Sequence, residues 1–122
     1  MTDAKVAIGR HLAAIGNRDL AAYSVTLHDE VTVILPNGGR LSGRDEVADF
    51  HREFFADKEW AQDVTELSFR VSGGTAVAVY EADYRGSADG QPIRKRFLLT
   101  LVFVAGDSGW VLLHDQCTPL PD

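Results

Sequence analysis

Phe97-Leu98-Leu99-Thr100-Leu101-Val102-Phe103-Val104, followed after Gly106-Asp107-Ser108-Gly109 by Trp110-Val111-Leu112-Leu113-His114-Asp115-Gln116-Cys117, is the stretch whose reading decides the fold. Its β-branched and aromatic content, split by a short Gly-rich turn, reads as two antiparallel strands at 93–104 and 110–117. Both parities of the first strand are apolar. Phe97, Leu99, Leu101 and Phe103 share one face; Leu98, Val102 and Val104 share the other. An antiparallel sheet with one wet face alternates cleanly, so both faces of this sheet are expected to be covered. Helices of the same chain can cover one, and a second copy of the chain is the simplest cover for the other.

Upstream, two further strands are expected at 60–71 and 75–85, with a turn at Ser72-Gly73-Gly74 and a loop over 86–92. The four form a meander. Strands near twelve residues run about 40 Å at roughly 3.3 Å per residue, so they must twist and bend. The first half supplies helices. Val6, Ile8, Leu12 and Ile15 recur near helical spacing over 3–15, with Gly16 placed as a left-handed stop. Asn17 is expected to cap a second helix from Arg18 to about Leu27, and His28-Asp29-Glu30 reads as a polar break. A strand at 31–35, the turn Pro36-Asn37-Gly38-Gly39 and a short return at 40–42 precede a third helix, 44–56, with Val47, Phe50, His51, Phe54 and Phe55 on its apolar side. The class is α+β, with helices packed on one face of a curved sheet.

Composition bounds the function classes. At 122 residues, with no linker, repeat or low-complexity stretch, residues 1–122 are expected to be a single domain. A formal charge of −6 repels phosphate backbones, so nucleic acid is not an expected partner. Neither a basic amphipathic segment nor a membrane-length apolar run is present, so no membrane partner is expected. Met1-Thr2-Asp3-Ala4-Lys5 lacks the layout of a secretory signal, and the expected location is cytoplasmic. The one cysteine, Cys117, rules out an internal disulfide and a multi-thiolate zinc site. His11, His28, His51 and His114 show no paired spacing, and no Gly-rich phosphate cradle occurs, so neither a metal nor another cofactor is implied.

The element order resembles the cone-shaped fold of the nuclear transport factor 2-like superfamily, which includes ketosteroid isomerase, scytalone dehydratase and limonene-epoxide hydrolase. Gly16-Asn17-Arg18-Asp19-Leu20 resembles the link between its first two helices. Leu27-His28-Asp29-Glu30-Val31 and Leu35-Pro36-Asn37-Gly38 resemble the approach to its first hairpin. Val47 to Phe55 resembles its third helix, and Gly109 to Gln116 its last strand. Within the superfamily the SnoaL-like, polyketide-cyclase-like branch is the nearest in appearance, and His114-Asp115-Gln116-Cys117-Thr118-Pro119 is similar to a subgroup found in enediyne biosynthesis clusters. The resemblance implies three N-terminal helices on a strongly curved, mainly antiparallel sheet. It also implies a pocket between sheet and helices, a hydrophobic small-molecule ligand and a homodimer formed through the outer sheet face. Chemistry stays open, because the fold hosts isomerases, dehydratases, cyclases, hydrolases and non-enzymatic binders.

Two residues are the candidate catalytic groups. His11 falls where the isomerase keeps an oxyanion-donor tyrosine; the alternative is a buried helix histidine bonded to a neighbour. Asp115 follows an apolar strand face. It reads either as an acid or base with a raised pKa or as a carboxylate paired at the rim. The resemblance favours Val111, Leu113, Asp115 and Cys117 as the cavity-facing set; the reverse parity would admit His114 and Gln116. The isomerase's other acids are missing, since Ile34-Leu35-Pro36 and Leu99-Thr100 hold no carboxylate. His51, Trp60, Cys117 and the hydroxyls of Tyr23, Tyr80 and Tyr84 are candidates for holding a ligand, with core packing as the alternative. Glu81, Asp83 and Arg85 share a strand face and read as an ion-pair network with Arg94, Lys95 and Arg96 across the hairpin. The function expected is a pocket protein that binds a hydrophobic polyketide-like or polycyclic molecule and that, if catalytic, performs acid–base cyclisation, isomerisation or dehydration on it. A non-catalytic ligand binder and a dimerising interaction module are the alternatives.

Overall fold

The computed structural model describes residues 3–121; Met1, Thr2 and Asp122 lie outside the described residues, so the expectation drawn from the first two is not addressed by it. Three helices, α1 (Asp3–Gly16), α2 (Leu20–Ser24) and α3 (Arg44–Ala56), accompany six strands. The strands are β1 (Leu27–Ile34), β2 (Arg40–Ser42), β3 (Ala61–Ser72), β4 (Thr75–Ala88), β5 (Gln91–Gly106) and β6 (Gly109–Pro119). They form one sheet ordered β2-β1-β6-β5-β4-β3, antiparallel throughout except where β1 runs parallel to β6. The inward rows of the sheet, Ala76, Ala78, Tyr80 and Ala82 of β4 and Phe97, Leu99, Leu101 and Phe103 of β5, are buried. Ala4, Ile8 and Ala14 of α1 and Val47 and Phe55 of α3 close over them. This is the expected α+β cone, with small alanines on β4 giving room for the large side chains opposite.

The first helix ends differently from the expectation. Arg18, at φ 54°, holds the left-handed position assigned to Gly16, and Gly16 stays helical. The amide of Asp19 bonds to Ala14 O and that of Arg18 to Ile15 O, the paired bonds that satisfy a helix's last carbonyls. Asp19, not Asn17, then caps α2, accepting from the Ala22 amide. The second helix is shorter than the expected 18–27, because the chain already joins the sheet at Leu27, opposite Leu112. His28-Asp29-Glu30 is part of β1 rather than a break. The β1–β6 ladder is irregular between Leu27 and Thr32, so these polar residues remain at the surface, and the His28 ring accepts the Glu30 amide in place of a ladder bond.

The β4–β5 hairpin is also longer than expected. No loop spans 86–92; the strands continue to Ala88 opposite Gln91, and the turn is Asp89-Gly90, both at positive φ. That is the Asp-Gly pair a two-residue hairpin favours. Pro92 is tolerated within β5 because β6 pairs with β5 only from Phe97 onward, which leaves that side of Pro92 without a ladder. In β6 a bulge lies opposite Val102 and Phe103, with Leu113 as the extra residue. Leu112 and Asp115 are buried, and Val111 and Leu113 are only half-buried. The expected inward set is thus corrected at Val111 and Leu113, and kept at Asp115 and Cys117.

Candidate functional site

A cavity of about 260 Å³ lies between the concave face of the sheet and the helices. Its walls are apolar: Ile15 from α1, Val33 and Leu35 from the β1 side, Phe50 and Phe54 from α3, and Phe97 and Leu99 from β5. It runs from buried groups, among them Asp115 and Leu99, to surface groups at the other end, among them Lys95 and Phe50. Phe54 is held by a stack. Trp60 lies parallel to it at 4.3 Å and donates its indole N–H to Phe54 O, and the Arg18 guanidinium covers Trp60 at 4.4 Å. Arg18 also donates to the Trp60 carbonyl.

Asp115 is the polar group at the buried end. It is 6% exposed, it lines the cavity, and its Oδ1 has no hydrogen-bond partner among the described residues. No basic residue among the described residues compensates it, and burial lifts its pKa to about 7. His51 is the second. A carbonyl can only accept, so the 2.8 Å contact to Val47 O fixes the proton on Nδ1 and leaves Nε2 as the lone-pair nitrogen. Burial lowers its pKa, which keeps the ring neutral at pH 7. Cys117, two residues after Asp115 on the same wall, has its thiol pushed up to about 12 by burial and by Asp115, so it is no thiolate.

Four of the eight candidate residues, Asp115, His51, Cys117 and Tyr84, therefore share the cavity wall. His11, Tyr23, Trp60 and Tyr80 do not reach it. Tyr80 packs in the core, and Trp60 backs Phe54 from outside. Tyr23 is fully buried and stacks on His51 at 4.3 Å, with its hydroxyl unpartnered among the described residues. Burial, then Asp115 and Cys117, raise its pKa, which keeps the phenol protonated. His11 lies on the other side of Tyr23, with ring centres 5.2 Å apart. The single proton of the Thr26 hydroxyl goes to Tyr23 O, so Thr26 must accept from His11 Nδ1–H. His11 Nε2 is then a buried lone pair without a partner among the described residues, and burial, with His51 adding to it, drives its pKa down to about 3.

The basic run divides by parity. Arg94 pairs with Asp83 and Arg96 with Glu81 on the outer face, as expected, but Lys95 points to the opposite face and lines the cavity. Lys95, Gln62, Phe50 and Phe54 were not read from the sequence as lining residues. For Lys95 the signal was present, two residues before Phe97 on the inward parity. Among the described residues no group of three or more His, Cys, Asp or Glu is close enough to hold a metal ion.

Three helices on a curved antiparallel sheet, with a cavity at the concave face, define an NTF2-like, cystatin-like cone. The chain belongs to the SnoaL-like domain family, whose model matches residues 5–120. It is similar to an NTF2-like family protein from Streptomyces avermitilis, at 19% identity over 97% of this chain and 94% of that one, with a TM-score of 0.82. It is also similar to a ketosteroid isomerase-like protein from Erwinia carotovora atroseptica, at 15% identity over 98% and 95%, with a TM-score of 0.81. A third likeness is to the calcium/calmodulin-dependent kinase II hub of S. rosetta, at 22% identity over 97% and 95%, with a TM-score of 0.77. Identities of this size show the fold alone. No curated protein matches the sequence. No helix among the described residues is long and apolar enough to cross a membrane.

Proposed function

We propose that this domain is a cofactor-independent acid–base enzyme of the cyclase, isomerase or dehydratase type, acting on a hydrophobic, polyketide-like or polycyclic substrate, with Asp115 as its proton-transferring group. One observation carries the reading: an uncompensated carboxylate at the buried end of an apolar cavity, with a pKa of about 7. Such a group is split between acid and base near neutral pH, the condition under which one residue can take a proton and return it. In the ionised form Asp115 accepts a proton from the carbon beside a substrate carbonyl, and the resulting acid delivers it to a second position. Neutral His51 offers Nε2 to a substrate hydroxyl. His11 supports Tyr23 from behind and does not touch substrate.

The test is proton exchange at the α-carbon of 2-tetralone in D2O, followed by NMR. The native protein is expected to accelerate exchange with a midpoint near pH 7, and Asp115→Asn to lose roughly 10²–10⁴ of the acceleration while the ketone still binds. Binding without acceleration by the native protein overturns the enzymatic reading and leaves a ligand carrier. The homodimer belongs to the same proposal. On the outer face Val77, Val102 and His114 form one cross-strand row, flanked by half-buried Val79, Leu98 and Val104, and a second copy of this chain is the cover we assign to it.

A further inference from the structure

The outer end of the cavity carries an arrangement that proton transfer at Asp115 does not use. Gln62 of β3 lies opposite Tyr84 of β4, and Tyr84 lies opposite Lys95 of β5. All three line the cavity. Their backbones form one rung across three strands, spanning about 10 Å at strand spacings of roughly 4.8 Å, and the rung brings an amide, a phenol and an ammonium to one end of the cavity. Lys95 has no ion pair among the described residues, although Arg94 and Arg96 on either side of it each hold a carboxylate. Burial and Asp57 raise the pKa of Tyr84, which keeps it a donor, and Asp57 itself accepts the Glu59 amide. A Cβ on Gly86 would lie 2.7 Å from the Tyr84 hydroxyl, so the missing side chain at Gly86 is what lets the ring lie down along the mouth.

Resting on the reading of the cavity as a ligand site, we propose that its ligand bears a carboxylate or similar acidic group, held at the mouth by Lys95, Tyr84 and Gln62, while its apolar body extends inward toward Asp115. Register gives the length. Asp115 lies opposite Leu101, six residues along β5 from Lys95, which is about 20 Å at roughly 3.3 Å per residue. The lysine side chain shortens that span. The ligand class is therefore an elongated aromatic or polycyclic acid. A donor rung accepts an anion and gives a neutral end group little. The charge preference arises locally, against the protein's net charge of −6.

The test compares 1-pyrenebutyrate with 1-pyrenebutanol, which share a flat polycyclic body and differ in charge, by fluorescence titration at low and high salt. The native protein is expected to bind the acid roughly three- to tenfold more tightly than the alcohol, with the gap narrowing as salt screens it. Lys95→Met should abolish the gap by bringing the acid's affinity to that of the alcohol, and Arg94→Met, on the outer face, should leave the gap intact. Equal binding of the two probes by the native protein, or a gap that survives Lys95→Met, overturns the inference while the cavity reading stands. Binding of neither probe overturns both.

Discussion

Asp115 and His11 are both buried, and burial moves their protonation in opposite senses. The native Asp115 keeps its proton up to about pH 7, whereas an unfolded aspartate releases it near pH 4. Its contribution to stability is therefore full below about pH 4 and is lost as pH rises to about 7. Native His11 stays neutral down to about pH 3, whereas an unfolded histidine takes a proton near pH 6.5. Its contribution is present above about pH 6.5 and is lost as pH falls toward 3. Between pH 4 and 6.5 the slopes oppose, and His51 adds to the second. Asp115→Asn removes the declining limb. Urea midpoints of that variant are expected to rise more steeply from pH 4 to 7 than those of the native protein, and to exceed them above pH 7; parallel curves would show that Asp115 has an ordinary pKa. Thr26 gives a second expectation at this scale. Thr26→Val leaves His11 Nδ1–H and the Tyr23 carbonyl without their shared hydroxyl, which should cost about 1–3 kcal/mol in urea unfolding, with Thr26→Ser near native.

At the scale of the element, the bulge in β6 decides which polar groups enter the cavity. Without an extra residue, regular alternation from an inward Leu112 would turn His114 and Gln116 inward and Asp115 outward. Leu113 absorbs one position, so Asp115 faces Leu101 on the concave side. The converse is testable. Deleting Leu113 restores even pairing and still leaves Asp115 inward, so the shortened protein should fold and retain 1-pyrenebutanol binding. A folded variant that no longer binds would show that the bend at the bulge, rather than the residue count, shapes the site. The bulge was not legible in the sequence, because Val111, Leu112 and Leu113 are all apolar and no break in alternation marks the extra residue. The order of the elements was legible, since a helix period and a strand period leave different traces. So were Asp115, His51 and Cys117 as neighbours of the cavity. The cap at Arg18 was missed because the glycine two residues earlier is the stronger left-handed signal. The role of Lys95 was masked by the two arginines flanking it, which drew the whole run into one ion-pair reading.

For the whole molecule, the feature that distinguishes this sheet is a row of half-buried apolar side chains on its convex side, beside the ion pairs of Arg94 with Asp83 and Arg96 with Glu81. Val77, Val79, Leu98, Val102 and Val104 point away from the helices, while Leu101 and Phe103 beside them are fully buried in the core. In the proposed dimer, apolar burial of this face would draw two copies together and a net charge of −6 on each would hold them apart. Self-association should therefore strengthen with salt, opposite in sign to the salt response expected for acid binding at Lys95. Val102 is central, between Val77 and His114. Val102→Glu places a carboxylate at the centre of the proposed interface without touching the concave side. The native protein is expected to sediment as a dimer and Val102→Glu as a folded monomer, with 1-pyrenebutanol affinity unchanged because one chain builds the whole cavity wall. A native protein that sediments as a monomer at all salt concentrations would remove the second copy as the cover of this face. A monomeric Val102→Glu that loses the probe would show instead that the cavity depends on the partner for its shape.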